Sequence, residues 1–308
     1  MTLRRHLAIP LHRLVRAGGP ALLQGPRGAG KTTLACQEFP GHLYVDLDDP
    51  AERRLAESDP ARFLAKFRRP AIVDGLERAP ALVALLTATV VEWPLLLISN
   101  LRQRFPLPTL ELHPATRAER ARRPALPLDV LGRFEPAQAD PDPPLAAWPA
   151  PTRDYLFRDV PLLVQVSDAD RFERFTELVE ERSAQSINQL ALARELSVAH
   201  RTVVRWFEVL DACFRTLRLE PLDESLGRRV GQRPKVHWLG DAPFETEVVT
   251  EIYRNARHAG LDPMLRYWRD SNGLEVPLIF ATEPGAPWIP LGIAETPNPV
   301  DESRIQRW

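Results

Sequence analysis

The segment Gly25-Pro26-Arg27-Gly28-Ala29-Gly30-Lys31-Thr32 constrains this chain more than any other. It lies between a short apolar run, Ala21–Gln24, and a helix-like stretch, Lys31–Glu38. The spacing G-x-x-x-x-G-K-[ST] lets successive backbone N–H groups wrap a phosphate, where bulky side chains would obstruct the approach. The loop Gly25–Gly30 then forms the cradle, and Lys31, Thr32 and Thr33 open a helix whose N-terminus faces the anion. Lys31 is expected to reach the β- and γ-phosphates and Thr32 to bind Mg²⁺. A Gly-rich turn without a ligand is the competing reading, and the order strand, loop, helix weighs against it.

Such a loop needs a second-strand acid for Mg²⁺. Ala71-Ile72-Val73-Asp74 supplies it, so Asp74 is the second expected metal residue. In hydrolysing proteins of this broad class a Glu commonly follows that Asp and polarises the attacking water. Here Gly75 follows, and Glu77 is the nearest acid. Nucleotide binding is therefore better supported than turnover.

Further short apolar runs at Leu43–Asp46, Leu95–Ser99 and Leu110–Leu112 alternate with helical patterns at Ala51–Glu57, Ala61–Phe67 and Ala79–Val91. That alternation predicts an α/β fold, a parallel sheet with helices on both faces, over residues 1–123. The fully apolar strands predict burial on both sides. A Pro-rich stretch at 124–152 reads as a linker. Between 153 and 234 the period changes to 3.6, with stripes at Phe172, Phe175, Leu178 and Val179, at Leu190, Ala193 and Leu196, and at Val203, Val204, Phe207 and Leu210. This predicts a small helical domain. From 235 to 308 strand-like signals return at Lys235–Leu239, Leu274–Phe280 and Trp288–Ile293, with a helix at Thr246–Ala259.

Composition excludes several classes. Forty basic residues against 41 acidic ones give no net charge to drive the chain onto nucleic acid or membrane. Lys31, Lys66 and Lys235 are the only lysines, so an arginine taken singly carries little functional weight. Two cysteines, Cys36 and Cys213, make neither a disulfide framework nor a cysteine-based zinc site. With no apolar run of membrane-spanning length, a cytoplasmic protein is expected.

Gly25–Leu34, Tyr44-Val45-Asp46-Leu47-Asp48-Asp49-Pro50 and Asp74 followed by Arg78-Ala79-Pro80 resemble a prokaryotic family of AAA-type P-loop ATPases. The likeness continues at Tyr155–Val160, at Leu192–Leu196 through Leu210, and at Tyr267–Val276. The resemblance implies ATP and Mg²⁺ as ligands, a winged-helix segment over 153–234 and a C-terminal nuclease-like α/β domain over 235–308. Several positions depart from the family pattern. Asp74-Gly75-Leu76-Glu77 replaces Asp-Glu-Ile-Gln, and Ser99 or Asn100 stands where a polar side chain senses the γ-phosphate. Arg104 is the candidate for a finger acting on a neighbouring subunit. At the nuclease-like end, Glu275-Val276-Pro277 and Gly292-Ile293-Ala294 lack the metal-binding acids and the lysine in alignment, so this domain is expected to be truncated and inactive. Glu245 and Glu251 remain and read as a solvated or ion-paired face.

Asn188–Val198 and His200–Leu210 resemble a helix-turn-helix, in which His200, Arg201, Thr202 and Arg205 would face DNA. Packing against the ATPase core is the alternative use. Three functions follow, in order: an ATP/Mg²⁺-dependent switch or scaffold with weak or absent hydrolysis, an oligomeric ATPase using Glu77 and Arg104, and a DNA-binding regulator. A nucleotide, a protein partner or second copy, and DNA are the corresponding partners; a membrane is not expected.

Overall fold

The computed structural model describes residues 3–91, 93–102, 104–123, 160, 169–222, 233–240, 243–270 and 275–293. The linker expected at 124–152 and the string at 155–159 lie outside these. The chain divides into two units, of which the first holds residues 3–123, 160 and 257–260 among those described.

The first unit is an α/β sandwich built on five parallel strands: β1 (Pro20–Gln24), β2 (Leu43–Asp46), β3 (Ala71–Asp74), β4 (Leu95–Ser99) and β5 (Thr109–Glu111). Their order is β2-β3-β4-β1-β5, so β4 separates the strand before the glycine-rich loop from the strand carrying Asp74. Side chains alternate between the faces, as the pleat requires. Leu22, Val73 and Leu97 pack on one side with Phe63 and Phe67 of the α4 region (Pro60–Ala65) and Leu82 and Leu86 of α5 (Pro80–Ala88). Leu23, Ile72 and Leu96 pack on the other with Leu34 of α2 (Lys31–Glu38) and Leu11 and Val15 of α1 (Ala8–Arg16). Helix α3 (Pro50–Ser58) starts at Asp49, whose carboxylate caps the N–H groups of Ala51 and Glu52.

All five strands, and the helices from α2 to α5, fall within a few residues of their expected places. Burial departs from expectation at β2. As an edge strand it alternates, exposing Tyr44 and Asp46. Helix α1 is not anticipated, although Leu7, Leu11 and Val15 recur at the i, i+4, i+8 spacing of a buried stripe. After a capping box at Thr116 and Glu119, α6 (Arg117–Arg120) closes the sheet region.

The second unit is not a helical segment followed by a separate strand region. Of the helices α7 (Ala169–Glu181), α8 (Gln189–Glu195) and α9 (His200–Ala212), α7 packs Phe172 and Phe175 against Trp206 and Phe207 of α9, with ring centroids 5.0–5.4 Å apart. Asn188 caps α8, and Ser197, at φ 54, turns the chain before α9. Leu190, expected in the stripe, is exposed, while Leu192 beside it is buried. Strand β7 (Thr216–Pro221), absent from the sequence reading, pairs antiparallel with β8 (Lys235–Trp238) and parallel with β9 (Met264–Arg269). With β6 (Gln185–Ser186), β10 (Glu275–Ala281) and β11 (Ile289–Leu291) these form one six-stranded sheet, order β11-β10-β9-β7-β8-β6. The expected boundary at 234/235 therefore falls within a shared sheet. Helix α10 (Phe244–His258) lays Val249, Ile252 and Tyr253 on Leu265, Tyr267 and Phe280.

Candidate functional site

The loop after β1 is fixed by backbone chemistry. A Cβ on Gly25 would lie 1.9 Å from the Leu112 carbonyl oxygen, so only glycine fits there. Gly28 and Gly30 take φ of 82° and 88°, the left-handed region that glycine enters without strain. Gly30 then begins α2 with no side chain capping its first N–H groups, which leaves the positive end of the helix toward the loop.

Lys31 is 4% exposed, and its Nζ donates to Gly25 O and Pro26 O at 2.8 Å and to Asn100 Oδ1 at 2.9 Å. Thr32 Oγ1 donates to Asp74 Oδ2 at 2.5 Å, and the Tyr44 hydroxyl donates to the same oxygen at 3.2 Å. Burial pushes the Asp74 carboxyl up, against the Thr32 hydrogen bond and the Lys31 charge. Burial and the Asp74 charge raise the Tyr44 phenol beyond the usual range. These groups line a cleft of about 420 Å³ above the C-terminal ends of β1, β3, β4 and β2. Open α/β sheets take their ligands at that end of the strands.

Arg27, Gly28, Gly30, Lys31, Thr32 and Thr33 line the cleft. Gly25, Pro26 and Ala29 do not, and contribute backbone instead: Ala29 O accepts from Arg5 at 2.8 Å. The pair Thr32 Oγ1 and Asp74 Oδ2 suits a hard cation such as Mg²⁺, which binds through one or two protein oxygens plus phosphate and water. Among the described residues no group of three or more His, Cys, Asp or Glu gathers as an all-protein metal site would require.

The structure separates the alternatives at the end of β4. Ser99 is fully buried and donates to Leu101 O at 2.9 Å, whereas Asn100 faces the cleft. Asn100 also holds Glu77. Its Nδ2 donates to Glu77 Oε1 at 2.8 Å and its backbone N–H to Oε2 at 3.1 Å. Both carboxylate oxygens are thus engaged, and Glu77 does not line the cleft. Hydrogen bonds to charged groups contribute about 1.5–3 kcal/mol each, so freeing Glu77 is costly. Nor can position 75 simply regain a glutamate, because Gly75 sits at φ 83°, where a side chain is strained. Arg104 is exposed and outside this cleft.

Sequence reasoning assigned no role to Arg5, Tyr44 or Asp46. The signal for Asp46 is its register: it pairs directly with Asp74 across two parallel strands. Arg5 belongs to a buried ionic network behind the loop. It lies 3.2 Å from Glu119, which also contacts His258 Nδ1 at 3.1 Å, while Glu111 meets Arg102, Arg257 and His113.

In the second unit, Lys235 Nζ lies 2.6 Å from Glu245 Oε1 and also contacts Glu275 Oε1. These three residues come from β8, α10 and β10, and Glu245 is ion-paired, one of the two arrangements expected for it. Burial and the adjacent Lys235 push the His237 imidazole down to about 3, so it is neutral beside the cluster. Glu251 is buried and accepts from Asn255 at 3.1 Å, so it is not a solvated face. On α9, His200, Arg201 and Arg205 are exposed and Thr202 is half-buried.

A family model described as a domain of unknown function (DUF8612) matches residues 136–241, which include α7 to α9, β7 and β8. Comparison with curated proteins gives no match. No helix among the described residues is long and apolar enough to cross a membrane.

Proposed function

We propose that the first unit binds ATP with Mg²⁺ at the Gly25–Thr33 loop and that the protein works as a nucleotide-dependent switch or scaffold, with weak or absent hydrolysis. The reading is that of a P-loop NTPase resembling the AAA-type family. The observation that carries it is the convergence of Lys31, Thr32, Asp74 and Asn100 on one cleft at the strand ends. In this account the loop N–H groups and the α2 N-terminus take phosphate oxygens, and Thr32 and Asp74 hold Mg²⁺, which neutralises phosphate charge. Lys31 exchanges its bond to Asn100 for phosphate oxygens, and the Asn100–Glu77 pair is left to rearrange. A ligand shifts such an equilibrium only by its difference in affinity for the two states. ATP binding that requires Mg²⁺ and Lys31 tests the proposal.

The second unit is proposed to combine a winged-helix-like part with a nuclease-like part lacking nuclease activity. Glu245 and Glu275 are held in ion pairs with Lys235, and Arg269 lies 3.8 Å from Glu275, so neither acid is free for a metal without breaking these contacts. The exposed Arg201 and Arg205 favour a second reading, DNA binding through α9. If it holds, Arg201→Ala with Arg205→Ala lowers the slope of log affinity against log salt by about 2 and weakens duplex binding uniformly across sequences. Electrophoretic shift at several salt concentrations checks this; absence of duplex binding by the parent chain removes the reading.

A further inference from the structure

We infer that Asp46, at the exposed end of the edge strand β2, is the water-activating carboxylate for whatever hydrolysis the cleft performs; this rests on the ATP-binding reading above. Asp46 and Asp74 are register partners on neighbouring parallel strands, and both line the cleft. In-register neighbours project to the same side of a sheet, so the two carboxylates stand side by side. Asp74 is committed to Thr32 and Tyr44. Asp48, which also lines the cleft, pairs with Arg78 at 2.5 Å. Asp46 accepts one bond, from the Asp48 N–H to its Oδ1 at 2.8 Å, and its Oδ2 has no partner among the described residues. Among the described residues lining the cleft, Asp46 is therefore the acid whose carboxylate is engaged by no other side chain, which leaves it able to hold a water molecule.

Glu77, the acid nearest the usual position, is occupied at both oxygens by Asn100 and lies outside the cleft lining. The turn at Gly75 displaces the acid that would follow β3, and β2 places another at the same end of the sheet. In the step, a water held by Asp46 attacks the γ-phosphorus. The bond from that phosphorus to the β–γ bridging oxygen breaks, and its electron pair leaves with the diphosphate. The water proton passes through the Asp46 carboxylate to phosphate or solvent, giving ADP and inorganic phosphate. General-base groups of this kind contribute about 10²–10⁴-fold.

The test uses the full chain with Mg²⁺-ATP, measuring fluorescent-nucleotide affinity and phosphate release on the same samples. Asp46→Asn is expected to bind within about twofold of the parent and to release phosphate about 100-fold more slowly. Asp46→Glu restores part of the rate, and Glu77→Gln lowers it less than Asp46→Asn does. An Asp46→Asn rate close to the parent's overturns the inference. So does loss of nucleotide binding in that variant, or a parent that binds ATP and releases phosphate no faster than Lys31→Ala. Failure of the parent to bind nucleotide overturns the ATP-binding reading itself and is distinguished by the affinity measurement.

Discussion

Lys31→Ala is expected to abolish the proposed nucleotide binding, with affinity for Mg²⁺-ATP falling about 100-fold or more. Among the residues lining the cleft, Arg27 and Lys31 carry positive charge against Asp46, Asp48 and Asp74. Removing Lys31 tips an already acidic cleft further against a polyanion. Two charged hydrogen bonds at about 1.5–3 kcal/mol each account for a loss of that size. The same ammonium ties Gly25 O, Pro26 O and Asn100 Oδ1 together, so the variant also loosens the loop. Arginine does not replace it, because a 4%-exposed ammonium site has no room for a planar guanidinium. Titration with a fluorescent ATP analogue, with thermal melting as the folding control, checks the result.

Glu119→Ala destabilises the first unit by about 3–5 kcal/mol, the range for removing one partner of a buried ion pair. Glu119 is fully buried and accepts from the His6 N–H at 2.7 Å and the Thr116 N–H at 2.9 Å, besides facing Arg5 and His258. Burial alone would raise its pKa. The His258 hydrogen bond and charge, the Arg5 charge and the Thr116 N–H outweigh burial and hold the carboxyl at about 2, below its ordinary 4.5. A depressed carboxyl stabilises the fold above its unfolded pKa, and that contribution fades as pH falls through the folded one. About 3 kcal/mol of stability is therefore present above pH 4.5 and is lost progressively toward pH 2. Calorimetry of the full chain is expected to show the first-unit transition lowered by about 10 °C in Glu119→Ala. Glu119→Gln, which cannot ionise, should show a flatter acid dependence between pH 5 and 2 than the parent.

The first unit was largely legible because two local rules coincide there. Apolar runs of four or five residues separated by amphipathic segments specify a parallel sheet, and the loop motif fixes which strand leads it. The roles of Asn100 and Glu77 were not legible, because neighbouring residues point to opposite sides of the sheet. Only the backbone shows that Ser99 turns inward and Asn100 toward Lys31. The strand order that puts β4 between Lys31 and Asp74 is non-local for the same reason. In the second unit, β7 carries Arg218 and Glu220 among apolar residues and follows directly on a helix, so its half-buried pattern merges with the helical period. The Lys235–Glu245–Glu275 cluster draws on three elements far apart in sequence, and no spacing rule connects them.

Calorimetric titration of the full chain with ATP, with and without Mg²⁺, tests most directly whether the loop at Gly25–Thr33 is an ATP site. Saturable one-site binding that requires the cation and disappears in Lys31→Ala is expected. Heat indistinguishable from dilution at every ATP and Mg²⁺ concentration, from a chain that melts cooperatively, would contradict it.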